Sequence, residues 1–207
     1  MKNIFLILSI TFFCSCKAQT LILPLFNNPN YGDTHGAYYK DLNNDLNAFV
    51  GTWELVNGST SLKIIIQKKL QNYSEMNNIY RDMLIGEYKY ISNGIEKVNT
   101  LANITNSGNV YAHNIVGNII IKNDNFPSCP ECNLNEKRVS LMFDDPTITD
   151  VEGLDGEIII RRVDIDGVQK IKVWLRPTGN ITYIEGNPPT STSFNVPWGE
   201  YILTKVN

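Results

Sequence analysis

Three dipeptides, each set between runs of β-forming residues, constrain this sequence more than any other feature. Asn57-Gly58, Asn93-Gly94 and Asp166-Gly167 are residue pairs favoured in two-residue β-hairpin loops, because both loop positions of a type I′ turn need positive φ. The flanking segments alternate apolar and polar residues, as residues 62–67 and 171–175 show. Alternation with a period of two indicates antiparallel strands with one buried face. The sequence therefore predicts an all-β fold.

The candidate strands follow one another in a meander after residue 51. We expect about 8–10 of them to close into a single barrel, because open sheet edges invite aggregation. The chain has 207 residues, 43% of them hydrophobic and 19% charged, which suits one folded domain. The predicted strands are residues 52–56, 59–70, 84–92, 95–100, 110–112, 115–122, 138–143, 157–165, 168–175, 181–184 and 199–206.

The first residues have the features of an export signal. Lys2 precedes an apolar run, residues 4–13, which is too short to span a bilayer and has the length of a signal-peptide core. Ser15-Cys16 then resembles a bacterial lipobox, in which the cysteine becomes the lipidated first residue. We expect a signal peptide over residues 1–15 and a membrane anchor at Cys16; the alternative is ordinary cleavage after Ala18. The protein would then be an outer-membrane lipoprotein facing the periplasm, or secreted if Cys16 is not lipidated.

The mature chain divides into a predicted tether and a predicted domain. Residues 16–40 lack periodicity and contain two prolines and two glycines, which indicates a tether, although the apolar residues 21–26 could dock on the domain. Residues 41–207 would form the single barrel domain. Leu42, Leu46 and Phe49 have helical spacing and predict a short helix leading into the first strand.

Two cysteines remain after the predicted signal, in the sequence Cys129-Pro130-Glu131-Cys132. In an oxidising compartment they favour a local disulfide that staples a loop. A thioredoxin-like redox site would need a strand and a helix around the motif, whereas the flanking residues are typical of turns. A zinc site would need four ligands, and His35 and His113 are distant in sequence.

Residues 49–55, at the start of the first predicted strand, contain Gly51-Thr52-Trp53. This motif resembles the Gly-x-Trp signature of lipocalins and the related start of fatty-acid-binding proteins, together the calycin barrels. The resemblance implies that Trp53 plugs one end of the barrel, with Gly51 beside it and a basic residue above it, for which Lys205 is the first candidate and Arg176 the second. Two features of fatty-acid-binding proteins are missing: their lid helices, and the Arg-x-Tyr of their last strand.

A second resemblance covers most of the mature chain. Residues 36–44, 49–53 and 82–90 together resemble a family of uncharacterised lipoproteins from Flavobacteria, a Bacteroidetes group, with a domain of unknown function. This resemblance implies a location in the cell envelope and a single domain, and it implies no activity.

Aromatic side chains on the predicted strands are the candidate ligand contacts. They either fill the core or line an apolar cavity for a small ligand, and an arginine on a strand could hold an anionic head group. Our first hypothesis is a non-enzymatic module that binds a small apolar or amphipathic molecule in the barrel, and the alternative is a structural or interaction protein with a filled barrel. The candidates are Trp53, Tyr88, Tyr90, Tyr111, Arg161 and Trp174.

Other functional classes are not indicated. Neither His35 nor His113 lies in a catalytic triad motif, so we do not expect an enzyme or a cofactor. Residues 41–52 begin like an EF-hand loop, but Leu46 and Thr52 occupy the positions that require Gly and Glu, so no metal site is predicted. The net charge of −3 argues against nucleic-acid binding.

Overall fold

The computed structural model describes residues 20–149, 151–183, 186–189 and 191–206, and it has an all-β fold. Within these ranges there are three short 3₁₀ turns, Asp45–Phe49, Leu101–Thr105 and Val110–Ala112, and no α-helix. The predicted signal peptide and Cys16 lie outside the described residues. The strands are β1 (Ile22–Pro24), β2 (Tyr38–Lys40), β3 (Gly51–Asn57), β4 (Thr60–Ser74), β5 (Ile79–Ser92), β6 (Ile95–Asn99), β7 (Ile115–Ile121), β8 (Arg138–Phe143), β9 (Gly156–Arg162), β10 (Lys170–Pro177) and β11 (Gly199–Val206).

Eight of these strands form a closed antiparallel barrel. Their order is β5, β4, β3, β11, β10, β9, β8 and β7, and the ring closes where β7 pairs with β5. Neighbours in the barrel are neighbours in sequence except at two places: β6 is bypassed, and the first barrel strand, β3, pairs with the last, β11. The predicted all-β class and the predicted closure into a barrel are therefore confirmed.

The long strand β5 holds the three strands outside the ring through a single edge. Along this edge β5 pairs first with β2, then with β7 at Leu84–Gly86, and finally with β6. β1 extends the sheet by pairing in parallel with β2. Gly86 lies at the seam, where an added Cβ would stand 2.8 Å from the carbonyl oxygen of Ile65 and 3.2 Å from Ile115. The close approach of the backbones thus requires a residue without a side chain.

Two of the three predicted turns have the expected form, and the third is displaced by one residue. Asn93-Gly94 and Asp166-Gly167 have positive φ at both positions, as a type I′ loop requires. Asn57, in contrast, pairs with Thr60 across the first hairpin, so the loop residues are Gly58-Ser59. Gly58 alone has positive φ there, which is the pattern of a type II′ turn.

The structure corrects four local predictions. The segment leading into β3 is a 3₁₀ turn, Asp45–Phe49, and the predicted short helix is not seen. Val110–Ala112 is also a 3₁₀ turn, and residues 181–183 form no strand. Residues 22–24 and 38–40 of the predicted tether are β1 and β2, because Leu25, Ala37 and Tyr39 are buried against the barrel and anchor them. The folded domain therefore begins well before Asp41.

The inside of the barrel is filled by the alternating apolar side chains. On β4, Leu62, Ile64 and Ile66 point inward and are almost completely buried. Trp53 and Tyr88 have no exposed surface and are the largest such side chains with Tyr39. Each buried large apolar side chain contributes roughly 1.5–3 kcal/mol of burial free energy, so this packing is the main source of stability.

Candidate functional site

Trp53, on β3, is fully buried, and two cations lie near its ring. Its Nε1 donates a hydrogen bond of 2.8 Å to the carbonyl oxygen of Phe49, which fixes the 3₁₀ turn beneath the first strand. The Nζ of Lys205 lies 5.5 Å from the ring centroid and the guanidinium of Arg162 lies 5.4 Å from it. An added Cβ on Gly51 would stand 2.8 Å from Cε of Lys205, so Gly51 leaves room for the lysine stem.

Tyr88 and Tyr90 belong to the filled interior as Trp53 does. The hydroxyl of Tyr88 donates to the carbonyl oxygen of Asp144 at 3.1 Å, and burial strongly raises the pKa of this phenol. Tyr90 is 7% exposed. Two of the pockets that combine charged and apolar side chains lie on the outer face of the barrel, and none of these three rings lines either of them.

The first of these pockets, here called the outer groove, crosses β5, β7, β8 and β9 and has a volume of about 370 Å³. Its floor is apolar and open to solvent, since Ile119 is 60% exposed and Met142 is 63% exposed. Tyr31 and Tyr111 stand at its rim. Gly117 also lines the groove, and an added Cβ on it would come within 3.0 Å of the β8 backbone.

Arg81 of β5 is the cation of the outer groove. One guanidinium nitrogen donates to the hydroxyl of Tyr31 at 3.4 Å and another donates to the hydroxyl of Tyr111. Its Nε is buried without a hydrogen-bond partner, and among the described residues no carboxylate pairs with it. The acid of the groove, Glu157, instead pairs with Arg176 at 2.8 Å. The two tyrosines therefore position a cation whose charge no acidic side chain neutralises.

The second pocket, here called the loop pocket, lies on the outer face of β8 to β11 and has a volume of about 190 Å³. The structure joins Cys129 to Cys132 in a disulfide, and the short loop that they close forms one wall. Trp174 and Ile159 provide apolar surface on the strands. Its three cations are Arg138, Arg161 and Lys172.

Acidic side chains neutralise two of these cations and leave the third without a carboxylate. Arg161 pairs with Glu136 at 3.0 Å, and Lys172 pairs with Glu200 at 2.8 Å. Arg138 is 2% exposed, and within the described part of the chain its guanidinium donates only to the backbone carbonyls of Lys122 and Asn125, at 2.6 and 3.2 Å. Its burial lowers the pKa of this guanidinium, as expected for a cation withdrawn from water.

The sequence-predicted ligand contacts thus separate into three places. Trp53, Tyr88 and Tyr90 are in the core, Tyr111 is in the outer groove, and Arg161 and Trp174 share the loop pocket. Sequence reasoning missed Arg81, Arg138 and Lys172. The signal for Lys172 was present, because it shares the outward face of β10 with Trp174, two residues away. Nothing in the local sequence distinguishes Arg81 or Arg138 from other strand arginines.

Two buried polar clusters connect elements of the fold. The carboxylate of Asp82 accepts hydrogen bonds from the Tyr38 hydroxyl at 2.5 Å and from the backbone amides of Asp41 and Gln71 at 3.0 and 3.1 Å. Asp82, on β5, is thereby connected to the residue that follows β2 and to the β-bulge of β4 at Gln71. His113 and Glu87 form a buried pair at 2.8 Å under the 3₁₀ turns. Across the described ranges, no three His, Cys, Asp or Glu side chains converge as metal ligands would.

The fold and its pockets define a class: a closed eight-stranded antiparallel barrel with a filled interior and two outer pockets that each hold an arginine without an acidic partner. A family model matches residues 1–206, and the chain belongs to that family, a family of unknown function designated DUF6705. The search of curated proteins gave no match, and the search of solved structures gave none either. In the part of the chain that the structure describes, no helix has the length and hydrophobicity of a membrane span.

Proposed function

We propose that this protein is a non-enzymatic binding module of the cell envelope, and that it takes a small amphipathic anion in the outer groove. The observation that carries this proposal is Arg81, a cation without an acidic partner at the edge of an exposed apolar floor. A ligand carboxylate at Arg81 would form strong charge-assisted hydrogen bonds with its guanidinium. The apolar part of the ligand would cover Ile119 and Met142.

The size and composition of the groove support a small ligand. Ligand pockets are mostly apolar clefts of about 300–1,000 Å³ with a few polar groups that fix orientation, and the groove volume of about 370 Å³ lies at the lower end of that range. Tyr31 and Tyr111 hold the arginine in place before any ligand arrives, which reduces the entropy cost of binding. The sequence predicted a ligand site inside a calycin-like barrel, whereas the site proposed here lies on the outer face of the barrel.

Binding of decanoate, below its micelle concentration, tests the proposal by isothermal titration calorimetry. We expect saturable binding of decanoate and much weaker binding of decanol, which has the same chain without the charge. Arg81→Gln should weaken decanoate binding about tenfold, and Arg81→Lys should restore part of it. Lys97→Gln is the matched control, because it removes one exposed positive charge on β6.

Two results would overturn this proposal. One is the absence of saturable decanoate binding to the unmodified protein. The other is an equal affinity in Arg81→Gln and Lys97→Gln, both of which must first show the unmodified circular dichroism spectrum.

A structural or interaction protein of the envelope is the second candidate. The filled interior around Trp53 and Tyr88 favours it, because a barrel without an internal cavity has no need of a ligand to be stable. Native mass spectrometry of the protein purified from its own envelope fraction distinguishes the two. A co-purifying small molecule lost in Arg81→Gln supports the binding module, and a mass equal to that of the bare processed chain supports the second candidate.

The envelope location rests on the sequence features of the first residues. The lipobox-like Ser15-Cys16 and the resemblance to Flavobacteria lipoproteins support a lipid anchor at Cys16. The Cys129–Cys132 disulfide suits an oxidising compartment. Mass spectrometry of the N-terminal peptide should find diacylglycerol on Cys16, and Cys16→Ser should move the protein from the membrane to the soluble fraction. If the mature protein instead begins, unmodified, directly after Ala18, it has no lipid anchor and is secreted.

A further inference from the structure

We propose that the loop pocket is a second binding site, separate from the outer groove, for a small carboxylate, and that Glu131 is its built-in competitor. Glu131 lies between the two cysteines at the mouth of the pocket. Its carboxylate stands 3.5 Å from the guanidinium of Arg161 and 3.4 Å from Nζ of Lys172. The protein thus presents one of its own carboxylates to the pocket, in contact with two of its cations.

Arg138 provides the observation that structural ion pairing does not explain. The residue is 2% exposed, it lines the pocket, and its Nε has no hydrogen-bond partner among the residues that the structure describes. The Nε of Arg161 is likewise buried without a partner. A buried donor without an acceptor is costly, so two of them beside one pocket indicate that an acceptor from solution completes the site.

The competing carboxylate is weakly held. The side chain of Glu131 is 51% exposed, and its ion pairs are therefore screened by water. The hydrogen bond of its own backbone amide, followed by that of Lys172, lowers its pKa, so it is ionised at neutral pH. An incoming carboxylate can displace it from Arg161 and Lys172 and gain the two Nε donors in addition.

The dimensions and walls of the pocket narrow the ligand class. A volume of about 190 Å³ admits a compact anion and excludes a long chain. Trp174 and Ile159 add apolar surface, on which a flat or small aliphatic group can rest. A free oxyanion such as inorganic phosphate would use the same donors without this surface. Benzoate, which has a flat apolar ring, and inorganic phosphate, which has none, are therefore the two probes that distinguish a carboxylate ligand from a free oxyanion.

Nitrogen-15 NMR of the arginine Nε–H groups, combined with calorimetry, tests the proposal on the full folded domain. Benzoate should shift the Nε–H signals of Arg138 and Arg161 downfield and saturate, and phosphate should bind more weakly. Glu131→Gln should tighten benzoate binding about threefold, since it removes the competing charge, and Lys172→Gln should weaken it by a similar factor. Glu131 is half exposed and Lys172 belongs to the outer face of β10, so neither variant removes a side chain of the core.

Controls keep this test separate from the test of the outer groove. The Nε–H signals of Arg138 and Arg161 report on the loop pocket, and Lys97→Gln, on β6 and outside both pockets, should leave their response to benzoate unchanged. The proposal is overturned if benzoate leaves both Nε–H signals unmoved. It is equally overturned if Glu131→Gln weakens binding, because Glu131 would then hold the ligand or the loop.

Discussion

Lys205 and Trp53 are direct cross-strand partners, and the Nζ of the lysine lies 5.5 Å from the centroid of the indole ring. They bring together β11 and β3, the last and first strands of the barrel. Gly51, two residues before the tryptophan on the same face, has φ of +138° and makes room for the lysine stem. The Gly-x-Trp motif is therefore in contact with a residue that lies about 150 positions later in the sequence.

Replacing Gly51 by alanine should destabilise the barrel by about 1–3 kcal/mol, because the new Cβ meets Lys205 and φ is unfavourable for any other residue. Urea unfolding followed by tryptophan fluorescence measures this change. Gly94→Ala is the control, since Gly94 also has positive φ but its Cβ would meet no atom within 4 Å. An equal loss in both variants would show that the Lys205 contact is unimportant.

Asp82→Asn should cost about 3 kcal/mol, because a completely buried carboxylate that accepts three hydrogen bonds loses its charge and part of its accepting capacity. Tyr38→Phe removes only one of these bonds and should cost about 1 kcal/mol. Hydrogen exchange should also accelerate at β2 in Asp82→Asn. Equal stability of the two variants would contradict the central part assigned to Asp82.

Alkaline unfolding should follow the buried tyrosines. Burial raises the pKa of Tyr201 to about 12, and it raises the pKa values of Tyr38 and Tyr88 further. Because the unfolded pKa is about 10, this contribution to stability is complete below that pH and is lost as the pH rises toward the folded values. Ultraviolet titration should show a late phenolate phase that coincides with unfolding. A single phase near pH ~10, with the fold intact, would be incompatible with this packing.

Replacing both Cys129 and Cys132 by serine should destabilise the protein by about 2 kcal/mol, the value that chain entropy gives for so short a loop. The barrel should remain folded, because its core lies on the other side of the sheet. Circular dichroism on heating measures the first effect. The affinity for benzoate then shows whether the disulfide positions Glu131. If the open loop releases Glu131 from Arg161 and Lys172, the affinity should change, whereas an unchanged affinity would mean that the disulfide does not position the glutamate.

Local patterns predicted what depends on local chemistry. The alternation of Leu62, Ile64 and Ile66 predicted an inward face, and Asn93-Gly94 predicted a turn with positive φ at both positions. The pairing of β2 with β5, and of β1 with β2, could not be predicted, because it depends on an edge of β5 that is set only in the assembled sheet.

The pockets escaped prediction for a similar reason. Arg81 and Asp82 are consecutive on β5, yet one faces a solvent groove and the other is fully buried. Their different environments are set by Tyr31, Tyr111 and Tyr38, which come from segments distant in sequence. The alternation of β5 shows that the two side chains face opposite ways, and only the assembled sheet shows what each one meets.

The pairing of β3 with β11 joins two segments that lie far apart in the sequence. Loop-closure entropy makes contacts between distant segments slow to form, and this pairing spans nearly the whole described chain. The hairpins of β3 to β5 and β8 to β10 can form from neighbouring residues, but the ring stays open until β11 arrives. Until then β3 and β10 each present an unpaired edge, and unpaired edges favour aggregation. The docking of β11 pairs both edges and closes the barrel, so the last strand protects the sheet from association with other chains.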